Sequence, residues 1–347
     1  MYTAVSERTT RGPGMRVMRG VIVLVVLATI AWCGYWFVGT RALDRAIAQG
    51  LERTPELSAE TYHIRGFPNR FDVTFDEPRV TLSDGEWTAP FVQFFALSYK
   101  PHHLLAVFPH DQVLRLGGTE MLIHSEDLRA SMVMEPGLDL PLDRVTLVGE
   151  AVDLQITQPA IGPDNTATWQ LGALRLASRR IDATTHQLVA LAETVFPDPA
   201  QMDRLDPQRL WPRRFDVLRL DGEGQTDRPL DRHLVMDGAQ ARLTDLAFTG
   251  LRVAWPDVDL RLAGRLSPDA DGRLSGEVTA TVTGWEELID ILRASGLIGD
   301  EAAAMANTTL SAMAQEDDLE VPLAVTEGVV RLGPFALVTL PPLVLSR

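Results

Sequence analysis

Between Gly20 and Val38 the chain runs nineteen residues without a charge, GVIVLVVLATIAWCGYWFV. As an α-helix rising about 1.5 Å per residue, that length spans roughly 28 Å of hydrocarbon, enough to cross a bilayer. No other feature restricts the chain as much, because a helix apolar on every side has no stable place in water unless it is buried all round. Its flanks differ. Arg8, Arg11, Arg16 and Arg19 precede it against Glu7, whereas Arg41 and Arg45 follow it together with Asp44 and Glu52. The bias of arginine towards the cytoplasmic side makes residues 1–19 a basic cytoplasmic tail and 20–38 the transmembrane helix, and it puts everything after Thr40 outside. Trp32, Tyr35 and Trp36 crowd the far end, where amphipathic rings favour the head-group layer. A cleaved signal peptide fits less well, since its apolar region is about 7–15 residues long and ends in small residues. Trp32 also stands where a lipoprotein signal needs a small residue before Cys33.

The remainder of the 347 residues is long enough for one large or two ordinary domains with their own cores. Formal charge is −15, and the basic tail contributes none of that excess, so the body is strongly acidic. A body of that sign repels a phosphate backbone, which excludes nucleic acid as an expected partner and disfavours anionic head groups except at the tail. Cys33, the single cysteine, lies inside the apolar run, so one copy forms neither a disulfide nor a thiolate zinc site. Lys100 is the sole lysine.

After the span, Leu43, Ile47, Gly50 and Leu51 keep helical spacing until Pro55, which predicts a juxtamembrane helix over 39–55 read as a stalk. From there the period becomes two. Phe71, Val73 and Phe75 alternate with Asp72, Thr74 and Asp76, and the same pattern recurs from Leu128 to Glu135, Val152 to Thr157, Val258 to Ala263 and Leu274 to Thr283. Such alternation predicts antiparallel sheet with one buried face, because parallel sheets covered on both faces read as unbroken apolar runs. An apolar-Arg-Leu triplet recurs at 114–116, 174–176, 218–220, 260–262 and 330–332, at intervals too unequal for a solenoid. Ser267 to Gly272 is the clearest turn. The fold class expected is mainly β (α+β): a large curved antiparallel sheet or sandwich over 56–347, with halves 56–182 and 213–347 joined by an irregular, proline-rich segment 183–212. Trp285, Leu288, Ile289 and Leu292 predict a covering helix opened by a Thr283-x-x-Glu286 capping box and stopped at Gly296. A second helix is expected from Asp300 to about Gln315.

Sites with specific chemistry are sparse. His102, His103, His110 and Asp111 are the densest set of metal-ligand types, but their spacing matches no helical pair, and loop histidines without a ligand are the expectation. Asp269, Asp271 and Gly272 resemble part of a calcium loop, yet Val278 falls where a bidentate glutamate is required, so an ordinary hairpin turn is expected. No nucleophile elbow, P-loop or dinucleotide fingerprint occurs, and Cys33 is too deep in the apolar run to serve as a nucleophile. No catalytic, cofactor-binding or metal residue is therefore assigned, and no cofactor is expected. The ring-rich stretch Phe67 to Phe108 reads first as a core cluster, with an apolar groove for a lipid chain as the sharper alternative.

Gly66-Phe67-Pro68, Arg70-Phe71-Asp72, Trp87-Thr88-Ala89-Pro90, Ala96 to His103 (ALSYKPHH) and Val107-Phe108-Pro109 resemble the alphaproteobacterial family called domain of unknown function 2125. The resemblance implies one N-terminal membrane segment and an envelope-facing body, and it carries no reaction or catalytic residue. The strand-rich layout is also similar in architecture to the AsmA-like envelope proteins, which are implicated in lipid handling. Two expectations follow. One is a non-enzymatic, single-pass protein of the bacterial inner membrane, its body periplasmic, that binds or shelters a lipid or supports an envelope assembly with a protein partner. The other is a carboxylate-dependent hydrolase of envelope material, which requires clustered, buried carboxylates with raised pKa values.

Overall fold

The structure is a computed structural model that describes residues 13–82, 84–158, 166–205, 209, 211–236, 241–255, 258–294, 299–311, 318–333 and 335–340. Arg8, Arg11, the expected helix stop at Gly296 and the end of the second helix near Gln315 lie outside the described residues. The apolar run and the stretch after it form one helix, α1 (Pro13–Arg53), of 41 residues and so about 60 Å long. It is long and apolar enough to cross a membrane. From Val21 to Leu27 the apolar side chains are exposed on every side of it, Leu24 at 67%. Such a surface fits a non-aqueous surround, so the helix could anchor the chain in a membrane.

Eight short strands come first: β1 (Leu57–Ser58), β2 (Thr61–Arg65), β3 (Arg70–Asp76), β4 (Arg79–Leu82), β5 (Gly85–Thr88), β6 (Phe91–Leu97), β7 (Lys100–Val107) and β8 (Asp111–Leu116). Long strands follow: β9 (Thr119–Met134), β10 (Leu142–Thr157), β11 (Thr166–Arg180), β12 (Thr185–Phe196), β13 (Phe215–Thr226), β14 (Leu243–Trp255), β15 (Val258–Pro268), β16 (Leu274–Thr283) and β17 (Asp318–Thr326). The closing pair is β18 (Val329–Leu332) and β19 (Phe335–Thr339), and the remaining helices are α2 (Pro199–Leu205), α3 (His233–Met236), α4 (Trp285–Ala294) and α5 (Asp300–Ser311). Among the described residues nineteen strands join one large, open sheet, and every pairing between them is antiparallel, as the alternation requires.

Strand β9 divides that sheet. One edge of β9 pairs with β10 along nearly its whole length. The other edge pairs with β8 through Thr119–His124 and with β7 through Arg129–Val133. Two arms leave this fork, β7-β6-β3-β2 and β8-β5-β4-β1. From β9 to β19 each strand pairs with the next in sequence, a meander built from hairpins. The turn between β15 and β16 shows how: Asp269 Oδ1 accepts the N–H groups of Asp271 and Arg273 at 2.8 and 2.9 Å, and Gly272 supplies φ +79°. The proline-rich stretch 183–212 supplies β12 and α2, and β12 is hydrogen-bonded to both β11 and β13. Its alternation is faint because Val189 and Leu191 stand opposite Leu188, Ala190 and Ala192, so both faces read as apolar.

Helices α4 and α5 lie on a face of the sheet near its end. Trp285, Ile289 and Ala303 join Trp255, Val258, Ala280, Val282, Leu319 and Val321 in the main buried cluster. Gly284 stands between β16 and α4, its carbonyl accepting the Leu288 N–H at 3.3 Å while its φ of +71° turns the chain off β16.

His186 on β12 is 3% exposed, and burial, the largest influence, pushes its imidazole below the ordinary value; nearby Arg180 adds to this, against the Leu142 backbone and Asp182. The folded chain thus resists a proton that the unfolded chain accepts. Stability is expected to fall as pH drops below about 6.5, the unfolded value, until the lower folded value is passed. Denaturation midpoints of the detergent-solubilised chain between pH 8 and 5 check this, and His186→Phe should flatten the decline; an equal slope in both proteins refutes it.

Candidate functional site

Antiparallel partners project their side chains to the same face, so the register fixes what each face presents. Followed across the sheet, one row reads Ile64, Val73, Phe94, Ala106, Ala130, Leu147, Leu176, Ala190, Leu220, Leu251, Leu262, Ala280 and Val321. Every member is apolar, and at about 4.8 Å per strand the row is some 55–60 Å long. The row beside it is equally apolar from Leu128 through Gly149, Leu174, Ala192, Leu218, Val253, Leu260 and Val282 to Leu319. Burial is deep towards both ends, at Val73 and Ala106 and again at Ala280 and Val321. It weakens between them, where Leu147, Ala190 and Leu220 are half-buried and Leu176 is 40% exposed.

The opposite face carries the arginines of the recurring triplets. Arg175, Leu191, Arg219, Arg252 and Arg261 are successive partners across β11 to β15, so three of the five triplets fall in register. Asp221 and Asp259 pair with three of its four arginines. Arg219 hydrogen-bonds Asp221 and holds its carboxyl below the usual range; burial pushes Asp259 up, but Arg252 and Arg261, at 2.8 and 3.1 Å, outweigh it. Glu86, paired with Arg115 and Arg79, and Asp182, which accepts the backbone N–H groups of Thr184 and Thr185, are lowered as well. The carboxylates that shift are therefore ionised partners of cations or amides, the opposite of a proton-holding acid.

At the start of the apolar row the two arms line an open-sided cavity of about 460 Å³. Phe75, Val92 and Phe94 line it from one arm, Val80 and Trp87 from the other, with Phe108 between them and Leu51 contributed by α1. Its polar lining is slight, since the Arg79 guanidinium is turned to Glu86. Phe75 and Phe94 meet edge to face at 5.9 Å, Trp87 and Phe108 at 6.1 Å, and the Trp87 indole N–H is satisfied by Gln112 Oε1 at 3.1 Å. Of the rings in 67–108, Phe71 is buried, and Phe75, Trp87, Phe94 and Phe108 line the cavity.

The helix is docked to the same arm rather than standing free of the body. Trp36, 7% exposed, stacks on Phe71 at 6.3 Å and meets Phe67 edge-on at 5.2 Å, and its indole N–H donates to Arg70 O at 2.8 Å. The Tyr35 hydroxyl donates to Ser98 O at 2.7 Å, and Tyr62 donates to Asp44 Oδ1 at 2.8 Å. At Gly39 the helix backbone comes so close that a Cβ would lie 2.8 Å from Phe71 Cζ, so only glycine fits without movement. Leu43, Ile47 and Leu51 continue the stripe, half-buried.

The histidines of the sequence motif are spread apart. His103 on β7 contacts Ser131 Oγ at 3.3 Å, while His110 Nδ1 lies 2.7 Å from Ser125 O before β8. Asp111 instead pairs at 2.7 Å with His124, which the sequence reading missed, and that hydrogen bond raises the imidazole above its ordinary value. The pair borders a second cavity of about 550 Å³ with a mixed lining, in which Glu77, Gln112, Asp153 and Gln155 stand beside Val113, Leu122 and Ile123. Among the described residues no three His, Cys, Asp or Glu side chains gather as metal ligands.

A family model described as an uncharacterised protein conserved in bacteria, DUF2125, matches residues 36–341. The match covers most of the chain, which therefore belongs to that family, in agreement with the resemblance read from the Gly66–Pro109 motifs. No curated protein and no solved structure matches the chain.

Proposed function

We propose that this member of the DUF2125 family is a non-enzymatic, single-pass protein of the bacterial inner membrane, N-terminus cytoplasmic and body periplasmic, that shelters a lipid acyl chain. The chain enters the cavity between the arms, and its remainder lies along the apolar row where burial is incomplete. The observation that carries this reading is an apolar cavity beside the anchoring helix that shares Phe94 with an unbroken apolar row across the sheet. Charge asymmetry around the span supports the orientation. A volume of about 460 Å³ falls within the roughly 300–1,000 Å³ of small-molecule sites. Lipid tails and an apolar lining are alike as solvents, so transfer from bilayer to cavity is nearly neutral, and the bound lipid exchanges with the membrane rather than being trapped. The lowered, arginine-paired carboxylates give no support to the hydrolase alternative.

Native mass spectrometry of the full chain, extracted in a mild non-ionic detergent, is expected to show a phospholipid adduct that survives activation sufficient to strip detergent. A chain that emerges bare from phospholipid-supplemented micelles at every activation energy overturns the reading.

A further inference from the structure

We propose that the two hairpin tips at 66–69 and 97–100 are submerged in the outward leaflet, so that the body is partly embedded in the bilayer beside its own helix. The inference rests on the anchoring reading but on different observations. The helix residues that grip the tips are Trp32, whose indole N–H donates to Asn69 Oδ1 at 3.2 Å, together with Tyr35 and Trp36, bonded to Ser98 O and Arg70 O. Phe37 meets Phe67 at 5.8 Å. Only Gly20 to Ala31 separates this grip from Arg19, twelve residues and so about 18 Å, whereas the hydrocarbon core is about 30 Å thick. The core must therefore take in the helix to about Val38, or else draw Arg19 and Arg16 into hydrocarbon, which is costly for a guanidinium. Whatever is fixed to residues 32–37 lies at that depth as well.

The tips suit such a place. Phe67 is 53% exposed and Tyr99 57%, with Leu97 beside them. Each tip closes a backbone hydrogen bond of its own, Arg70 N donating to Gly66 O at 2.8 Å and Ser98 N to Asn69 O at 2.9 Å, which lowers the number of groups left for water. Lys100, the one lysine of an acidic chain, follows Tyr99 and is exposed, its long stem able to carry the ammonium up to lipid phosphates.

Depth-dependent quenching of the full chain in phosphatidylethanolamine–phosphatidylglycerol nanodiscs tests this. In a Cys33→Ser background, an environment-sensitive fluorophore is placed through Phe67→Cys, Tyr99→Cys, Leu27→Cys within the span, and Leu138→Cys, whose side chain is 84% exposed between β9 and β10. Labels at 67 and 99 are expected to be quenched by spin-labelled lipid at least threefold more than at 138, and shielded from iodide. Quenching by iodide at 67 and 99 equal to that at 138, with lipid quenching retained at 27, overturns the inference and leaves the anchor intact. Loss of lipid quenching at 27 overturns both. Tyr99 is 57% exposed, so Tyr99→Cys alone decides the matter if Phe67→Cys folds poorly.

Discussion

Trp36→Ala is expected to lower the stability of the body by about 3–5 kcal/mol, the range for removing a large buried aromatic. For a body of this size that is a fall in melting temperature of roughly 6–15 °C, measured by thermal denaturation in detergent or nanodiscs. Three contributions combine at this residue: a ring 7% exposed, its contacts with Phe67 and Phe71, and the indole bond to Arg70 O. Trp36→Phe separates them. It keeps most of the apolar contact and loses the bond, so about 1 kcal/mol is expected from it. Gly39→Leu should cost more than Trp36→Phe, because the new side chain starts 2.8 Å from Phe71 Cζ. A melting temperature unchanged in Trp36→Ala would mean that helix and body are mechanically independent.

That seam marks where sequence reasoning stops. Charge, length and rings between Arg19 and Val38 are properties of a continuous segment, and they sufficed to read the anchor. They also suggested that Trp32, Tyr35 and Trp36 face head groups. The same rings reach Asn69, Ser98 and Arg70, between 34 and 63 positions away, and no local pattern announces such partners. Alternation likewise revealed strands such as β9 and β16, where one face is plainly polar, and blurred β12, where Val189 and Leu191 populate the other face. The apolar row depends on register, which turns and bulges set one hairpin at a time. Leu176 and Ala106 are seventy residues apart in sequence, yet stand three strands apart in one line. The fork is equally hidden, because nothing in Thr119 to Met134 tells that one edge of a single strand serves two partners.

Leu176→Glu is expected to reduce lipid retention about tenfold or more while leaving the fold nearly as stable as before. At 40% exposure a carboxylate at this position reaches water, so the expected cost to folding is about 1 kcal/mol or less. For a ligand the position is different. Leu147 and Ala190 flank it in the row, and an acyl chain laid across them would desolvate the new carboxylate without offering it a hydrogen bond. Such desolvation costs at least about 1.4 kcal/mol on mutational scales, which is a tenfold loss of affinity. Leu176→Ala, which shortens the contact without adding charge, should cost severalfold less. Adduct intensity in native mass spectra of the three proteins, with melting temperatures taken in parallel, separates the cases. Equal adducts in wild type and Leu176→Glu would confine the lipid to the cavity between the arms, and the exposed middle of the row would then have no part in holding it.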